Sequence, residues 1–531
     1  MNTFNPENTP YIEKSLFDGS VPAELSGDYI LPDVYSDVKK ILNITASPIL
    51  TSRFVSGKRL EFSGGVDYRI LFSTDTDEGE CICSVHFAAE WNSSVGELEG
   101  LEYADILIVP KIASCTVRPS NPRKLSVKCT VSSDVRIAAK MPCPITVIGA
   151  VSREEELSLE KRTETAAVRS VNTFTPEPLR ISQDIELDPS LPSIDRIVSC
   201  RVNIYISESK PRMDTGAVNI FVKGSAFVNC LYKAAGQNVY RSFARTVPFT
   251  HTIDAEDCTE QFKNCVRDSL ISRVTAVPVE INAVVGNDSY GEPRIVELDF
   301  TSELTARLFG TQETALTLDA YSTARESVCD FVTVSAAMPP KLINTNFTVG
   351  ELFPAESVTV PDGAVIVDGA VSLDRFNINR EHGHCALTST AAVSCIYTDA
   401  EGSVGRVETV LPVRCEINAG DITDNTDFLC EGIPSDLRLG IRDGRLSADF
   451  EVSLSAEVWD RSEKRVLNSV TLADPRNRQG GSDIILCYPS PKESLWDVAK
   501  RYGTSVAAIE ASNRGGRVIM IPTASPRSFV V

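Results

Sequence analysis

Long segments in which apolar and polar residues alternate constrain the fold of this chain more than any other feature. Residues 60–72 are apolar at nearly every even position, and a second alternating segment covers residues 81–87 after a turn-rich break. An alternation of period two places the apolar side chains on one face of a β-strand. The two segments therefore predict a hairpin with one buried face.

The hairpin pattern occurs three times along the chain. In each copy the first strand ends in a short related sequence, which reads Ile-Leu-Phe-Ser, then Cys-Leu-Tyr-Lys, then Cys-Ile-Tyr-Thr. A further long alternating strand, preceded by a turn, follows each hairpin. The hairpins are at residues 60–87, 222–249 and 387–413, and the later strands are at residues 125–131, 296–304 and 446–458. Three copies of one β-rich domain are the most economical explanation.

The length and the charge of the chain limit its organisation and its partners. A chain of 531 residues is expected to hold roughly three to five domains. The formal net charge of −20 argues against a general nucleic-acid binder, which needs clustered Lys and Arg. No signal-like segment opens the chain, and no apolar run approaches the roughly eighteen residues that a membrane span needs. We therefore expect a cytoplasmic protein without a transmembrane segment.

The fifteen cysteines are interpreted as buried thiols. Most of them, such as Cys115, Cys129, Cys230 and Cys395, stand singly in alternating apolar segments. Free cysteine behaves as a small apolar residue in a reducing compartment, so we expect a structural role for these side chains.

No motif for catalysis is found. The chain has four histidines, none of them in a zinc-hydrolase motif, and it lacks glycine-rich phosphate loops and a nucleophile elbow. His382, His384 and Cys385 could share a metal ion, but they stand in a polar segment without a second pair of ligands, so a solvated turn is favoured. We predict a protein that is not an enzyme, with no catalytic residues, no cofactor and no metal. A hydrolase in the second or third copy is a poorly supported alternative.

The carboxyl-terminal segment follows a helical pattern. One helical face carries four apolar residues, which are Leu495, Val498, Ala499 and Tyr502. Gly503 suits the left-handed end of this helix, and Thr504 or Ser505 can cap a second helix. Apolar strands at residues 484–488 and 518–522 flank the pair. The predicted order is strand, helix, helix, strand.

This order, with its Ser-Leu-Trp start and its Tyr-Gly-Thr-Ser joint, resembles a LysM module. In a typical LysM module two loops form a sugar-binding groove. Here the first loop reads Lys492-Glu493-Ser494, and the second is shortened to residues 513–517. Because both loops depart from the typical module, the sequence argues against glycan binding.

Most of the chain is similar to the SPOCS-domain proteins of spore-forming Firmicutes, in particular to SipL-type spore-coat morphogenesis proteins. The resemblance rests on a Leu-Pro-Asp entry at residues 31–33, an Asp-x-x-x-Ile-Leu segment at residues 37–42, the related strand ends and the LysM-like end. It implies a mainly β fold, with three tandem β-rich, SPOCS-like domains followed by a small α+β LysM module of βααβ order.

The domain boundaries follow from the repeats and from the composition of the joints. The predicted β domains are residues 1–146, 173–337 and 338–472, the LysM module is residues 484–524, the linkers are residues 147–172 and 473–483, and a tail covers residues 525–531. The first linker is charged and free of Gly and Pro at residues 152–169, which favours a helix. The second linker is rich in Gly and polar residues, so we expect the module to move independently of the body.

The resemblance also implies a function. Family members of this layout act in the mother-cell cytoplasm, where they help to tether the basement layer of the spore coat to the forespore surface. Their LysM end is implicated in binding the coat-scaffold ATPase SpoIVA. We expect this chain to be a non-enzymatic adaptor at that surface, with a SpoIVA-like ATPase and other coat proteins as partners. The rival is a glycan-binding protein whose LysM module holds peptidoglycan or chitin-like polymers.

The terminal module is the candidate contact site. Basic residues outnumber acidic ones there, which favours an acidic partner surface. Trp496 lies off the apolar stripe, and a partly exposed Trp beside Lys500 and Arg501 is typical of an interface hot spot; local packing is the alternative role. The predicted partner-binding residues are Ser494, Trp496, Asp497, Lys500, Arg501, Arg514 and Arg517.

Overall fold

The structure is a computed structural model of the chain. It describes residues 11–77, 79–142, 146–148, 158–214, 217–263, 265–266, 269–353, 360–361, 363–381, 384–418, 422–442, 445–476, 484–490, 493–513 and 518–522. Strands make up most of this part of the chain, which confirms the predicted mainly β fold.

Two sheets enclose the first hydrophobic core. The strands of one sheet are β2 (Lys40–Ser56), β3 (Arg59–Thr76) and β4 (Gly79–Val95), and those of the other, in spatial order, are β1 (Tyr11–Ile30), β6 (Lys124–Pro142) and β5 (Ala104–Asn121). The alternating apolar residues of the sequence, such as Phe62, Ile70 and Val127, are buried between the sheets. The period-two pattern thus gives each strand one core-facing side.

A second pair of sheets encloses the second core. The strands of one sheet are β10 (Ile194–Asp214), β11 (Ala217–Ala234) and β12 (Tyr240–Asp254), and those of the other are β13 (Ile271–Gly286), β14 (Ile295–Ser322), β8 (Leu159–Phe174) and β9 (Leu179–Glu186). A single helical turn, α1 (Thr259–Phe262), follows β12 and buries Phe262 in this core.

A third pair encloses the third core. The strands of one sheet are β17 (Val365–Leu373), β18 (Asn377–Glu381), β19 (His384–Thr398) and β20 (Val404–Ile417), and those of the other are β15 (Arg325–Ala337), β16 (Lys341–Leu352), β21 (Thr426–Arg442), β22 (Arg445–Pro475) and β7 (Thr146–Ile148). β7 pairs in parallel with the far end of β22, so a short piece of chain at the end of the first copy and the start of the predicted linker joins the sheet of the third copy.

The three pairs of sheets share one connectivity. In each pair, one sheet is a meander whose central strand is β3, β11 or β19, and that strand carries the related sequence ending noted above. In the other sheet, an early strand of the copy pairs with the last strand, as β1 does with β6, β9 with β14, and β16 with β22. Similar sequence patterns therefore build similar sandwiches.

Two strands continue well beyond their cores. β14 has 28 residues and β22 has 31. The second half of β14 pairs with β8, and the second half of β22 pairs with β15. Small apolar clusters that include Leu316 with Val466, and Ala320 with Leu467, lie between these extensions. The second and third copies are therefore packed together along their last strands.

The predicted joints need three corrections. The charged segment at residues 152–169 is not a helix where it is described, because residues from 159 onward form β8 with a polar outer face. The boundary at residue 337 is wrong, since β15 pairs with β22 of the third copy. The second linker begins later than residue 473, because β22 continues to residue 475.

The three copies meet at an apolar junction formed by equivalent residues. Leu71, Leu231 and Ile396 are the second residues of the three related strand endings, and all three are buried in one cluster that is separate from the main cores. Their neighbours there are also equivalent between copies; they are Leu42 with Val198 and Val367, and Ile82 with Tyr240 and Val404. Consecutive apolar residues at each strand ending thus serve two cores, one on each face.

Hydrogen bonds between copies surround this junction. The Tyr240 hydroxyl accepts from the backbone N–H of Ile82 at 2.9 Å. The guanidinium of Arg201 donates to the Asp368 carboxylate at 2.8 Å. The Lys40 ammonium donates to the carbonyl of Val404 at 2.9 Å. Each copy is thereby bonded to both of the others.

A second meeting point is charged, and two of its three equivalent residues, Arg307 and Glu457, are buried. Arg136, Arg307 and Glu457 each lie eleven positions after the first core residue of their strands, which are Leu125, Val296 and Leu446. Glu457 accepts from Arg307 at 2.5 Å and from Arg273 at 3.3 Å. The charges of Arg307 and Glu457 also act on Arg136, so the three equivalent positions lie close together. Because the third copy has Glu at this position, its negative charge balances the arginines of the other two copies, which would otherwise repel one another.

The terminal module consists of two short strands and two helices. In chain order they are β23 (Ile484–Cys487), α2 (Leu495–Tyr502), α3 (Val506–Ser512) and β24 (Ile519–Pro522). β23 and β24 pair antiparallel. The order strand, helix, helix, strand is therefore as predicted.

Candidate partner-binding module at the carboxyl terminus

Helix α2 is fixed at both ends by local chemistry. The Ser494 hydroxyl accepts from the backbone N–H of Asp497, and the Asp497 carboxylate accepts from the backbone N–H of Ser494, which forms a capping box. The hydrogen bonds from Ser494 lower the pKa of Asp497 below its usual range. Gly503 ends the helix at φ 64°, a conformation that glycine adopts without steric cost.

The helices of the module pack on its two strands through a small core. Val498, Ala499 and Ile509 are fully buried, together with Cys487 and Ile521 of the strands. Leu495, which was expected on the same apolar stripe, is instead exposed. It stands at the first position of the helix, before the turn at which the other apolar residues reach the strands.

Trp496 and Lys500 contact the body of the protein. The indole Nε1 of Trp496 donates to Oδ2 of Asp319 at 2.8 Å, and the Lys500 ammonium donates to both carboxylate oxygens of Asp319 at 2.6 and 2.8 Å. Asp319 lies near the end of β14, and its side chain is 15% exposed. One carboxylate of the second copy therefore accepts from two side chains of the module.

Tyr321 packs beside this contact. Its ring lies edge-on to the indole of Trp496, with 4.9 Å between the ring centroids. Its hydroxyl donates to the carbonyl of Thr504 at 2.7 Å, and burial raises the pKa of that hydroxyl. Tyr321 is fully buried within the core cluster of the module. The end of β14 is thus an integral part of the packing of the module.

A β-bulge places these side chains. The pairing of β14 with β8 shifts register between Thr317 and Asp319, and a bulge of this kind re-aims the side chains that follow it. Leu316 and Ala320 are buried toward the adjacent sheet, while Asp319 and Tyr321 meet the module. Both faces of the strand end are covered.

The expectation that the module moves independently is therefore corrected. Besides the contacts of Asp319 and Tyr321, Arg476 at the end of β22 lies against Gly503, where an added Cβ would come within 2.6 Å of its Nη1 atom. The same guanidinium donates to the carbonyl of Arg325 at 3.2 Å. The module is held against both strand extensions. The rest of the predicted linker, residues 477–483, lies outside the described residues.

The remaining predicted site residues have different surroundings. Ser494 and Asp497 are exposed at the start of α2, where each caps the helix. Arg501 is exposed and pairs with Glu493 within the module. Arg514 and Arg517 lie outside the described residues. The structure thus brings Trp496 and Lys500 together on one acceptor and leaves Ser494, Asp497 and Arg501 at the outer surface.

An apolar patch covers the outer face of the two-stranded sheet. Leu486 and Met520 lie directly opposite each other on β23 and β24, and they are 60% and 40% exposed. Tyr488, just beyond β23, is 74% exposed. Alternation along each strand sends Ile485, Cys487 and Ile521 to the helices and these residues outward.

Asp319 and Tyr321 were not identified from the sequence. They occupy the polar positions of an alternating strand, so the pattern predicts that their side chains face solvent. One signal in the sequence could have indicated them. An aromatic residue, Tyr321, stands near the end of the strand on the face that otherwise carries polar residues, two positions after the acid Asp319. The apolar junction has a comparable signal, because Leu71 and its equivalents are apolar at positions where the alternation predicts a polar residue.

The segment with His382, His384 and Cys385, which was expected to be a solvated turn, is described only from His384 onward, where β19 begins. Cys385 is fully buried in the third core at the start of β19, and His382 lies outside the described residues. Among the described residues, no group of three or more His, Cys, Asp or Glu side chains could hold a metal ion. The described cysteines are free thiols, and most of them are buried.

No helix within the described ranges combines the length and the apolar character that crossing a membrane requires.

Comparison with protein families gives one match. Residues 193–278 match the family model described as SipL, SPOCS domain. The matched segment covers the meander of the second copy, β10 to β12, and continues into β13. The chain is therefore similar to SipL-type SPOCS-domain proteins over this segment, which confirms that part of the predicted resemblance and suggests a role related to sporulation and the spore coat. Comparisons with curated proteins and with solved structures gave no match.

Proposed function

We propose that this chain, whose second copy is similar to the SPOCS domain of SipL-type proteins, is a non-enzymatic adaptor in spore-coat morphogenesis. It would act on the mother-cell side of the forespore surface and help to tether the basement layer of the coat. The single observation that carries this proposal is the family match to residues 193–278. The matched strands belong to the second of three copies that share their connectivity, so we extend the SPOCS-like assignment to the first and third copies.

The close packing of the copies supports a scaffold role. Equivalent residues of the three copies share one apolar cluster, and side-chain hydrogen bonds join each copy to the other two. Such packing holds the copies in a fixed arrangement. A rigid body can present its surfaces at set distances to several partners at once, which suits an adaptor in a layered assembly.

We further propose that the terminal module has a LysM fold and binds a protein, with a SpoIVA-like coat-scaffold ATPase as the partner. The order of its elements and the capping of α2 support the fold. The exposed patch of Leu486, Tyr488 and Met520 supports a protein ligand, because apolar and aromatic side chains at the centre of a contact supply most of its binding energy. Trp496 and Lys500 are engaged by Asp319, whereas the side chains of the patch are exposed.

Titration of the full chain with the two kinds of ligand tests this function. The coat-scaffold ATPase is titrated into the protein, and chitin oligomers and soluble peptidoglycan fragments are titrated separately. We expect saturable binding of the ATPase and no saturable binding of the sugars. Saturable sugar binding without ATPase binding would support the glycan-binding alternative and overturn the proposal.

A further inference from the structure

Trp496 and Lys500 form a two-donor site for a carboxylate. They are four residues apart on α2, so their side chains lie on the same face of the helix one turn apart. Both donate to Asp319, the indole N–H at 2.8 Å and the ammonium at 2.6 Å. A neutral donor and a cation directed at one carboxylate form charge-assisted hydrogen bonds, which are stronger than ordinary ones.

The residue that fills this site belongs to an extended segment with a second anchoring group. Asp319 and Tyr321 are two positions apart at the end of β14, and the Tyr321 ring packs edge-on against the indole of Trp496. The Tyr321 hydroxyl donates to the carbonyl of Thr504 at 2.7 Å. The segment thus offers a carboxylate and a phenol to one face of the module. Residues 319–321 therefore contact the module as a short bound peptide would, through an acid and an aromatic residue two positions later.

We propose that the face of α2 that carries Trp496 and Lys500 is a binding site for an extended protein segment with this acid and aromatic spacing. The end of β14 is its resident occupant within the chain. A partner segment of the same chemistry binds there by displacing residues 319–321. The inference rests on the proposed function of the module as a protein-binding unit, and it adds the class of ligand and the group that competes with it.

Competition from within the chain sets the apparent affinity of the site. Only the fraction of molecules in which Asp319 has left Trp496 and Lys500 can accept a partner, so the apparent dissociation constant equals the intrinsic constant divided by that open fraction. Loss of a hydrogen bond to a charged group changes such an equilibrium by about tenfold or more. Removing the charge of Asp319 therefore opens the site without altering its donors.

Asp319→Asn in the full chain tests this directly, with Asp299→Asn as the matched control. Asp299 is an exposed residue on the same strand, β14, away from the module. The probe is a blocked synthetic peptide with the sequence of residues 316–323, and a second peptide carries Asn in place of its Asp. Binding is measured by fluorescence anisotropy. Hydrogen–deuterium exchange reports separately whether α2 has left the end of β14.

The expected result is faster exchange in α2 of D319N and binding of the Asp peptide at least about tenfold tighter than in the parent chain. D299N should behave as the parent, and the Asn peptide should bind D319N weakly. Trp496→Phe, which keeps a ring but removes the donor, should abolish peptide binding in the D319N chain. If D319N loses its native circular dichroism, Tyr321→Phe, which removes only the hydroxyl bond to Thr504, replaces it.

Two results would overturn the inference. If exchange in α2 is unchanged in D319N, Asp319 does not hold the module. If exchange rises but the Asp peptide binds no better than the Asn peptide, the contact is packing and not a carboxylate site. None of these readouts uses the ATPase, so a negative result here leaves the proposed function standing, and failure of ATPase binding is seen independently.

Discussion

Arg307 and Glu457 occupy equivalent positions in the second and third copies and form a buried ion pair with 2.5 Å between guanidinium and carboxylate. Both side chains are almost completely enclosed. An internal repeat would place like residues at like positions, and here two copies have Arg while the third has Glu. Because Glu457 stands where the other copies have Arg, the equivalent positions attract each other and form a contact between copies.

Replacement of Glu457 by Gln should destabilise the whole body. The change leaves Arg307 buried without its counter-charge and Arg273 with Glu431 as its remaining carboxylate partner, and breaking a buried pair from one side costs about 3–5 kcal/mol. We expect a loss of this size in the free energy of unfolding, measured by urea denaturation followed by circular dichroism. Glu463→Gln, on an exposed part of the same strand, is the control and should change stability little. Equal effects of the two substitutions would argue against a structural role for the buried charges.

The same carboxylate should make stability depend on pH in acid. Burial alone would raise the pKa of Glu457, but the charges of Arg307 and Arg273 outweigh it and hold the pKa below the ordinary value of 4.5. A carboxyl group with a lowered pKa in the folded state contributes stability above its unfolded pKa and loses it as the pH falls through the folded pKa. The difference in unfolding free energy between parent and E457Q should therefore be constant above about pH 5 and shrink below it. A difference that stays constant into strong acid would refute this assignment.

Leu231→Ala should weaken the contact between the copies. Leu231 is 1% exposed in the apolar junction, and truncation of a buried leucine costs about 2–5 kcal/mol through lost burial and the cavity that remains. Thermal and urea denaturation of the full chain should show that loss. Val410→Ala on the exposed face of β20 is the control. A change below about 0.5 kcal/mol for Leu231→Ala would mean that the junction is not packed as described.

Ser494→Ala should loosen the terminal module without disturbing the body. The substitution removes the hydroxyl that caps α2, a loss of about 1 kcal/mol. Amide exchange in α2 should quicken, while exchange in β3, β11 and β19 should not change. Ser494→Thr retains the hydroxyl and should restore slow exchange. If the Ser494→Thr variant exchanges as fast as Ser494→Ala, loss of the capping hydroxyl is not the cause of the faster exchange in α2.

The sequence predicted the strands well because each has one buried face, and a period-two pattern records that fact directly. The described part of the predicted helix, from residue 159 onward, was misread because β8 at the edge of its sheet is polar along much of its length, so it lacks an apolar alternation. The contacts of Asp319 with Trp496 and Lys500 could not be predicted, since they join positions 177 and 181 residues apart. The apolar junction had a visible signal in the consecutive apolar residues at Leu71, Leu231 and Ile396, but only the fold shows that they meet.

Docking of the coat-scaffold ATPase on the terminal module can be tested by measuring the affinity of the full chain for the ATPase before and after the apolar patch of the module is made polar. Leu486→Glu with Met520→Glu changes two exposed residues of the terminal module, and Val410→Glu changes an exposed residue on β20, away from the module. We predict that the double variant binds the ATPase at least about tenfold more weakly, the effect of losing a hot spot, while V410E binds as the parent does. Unchanged binding by a folded double variant, or equal losses in both proteins, would contradict docking through the apolar patch of the terminal module.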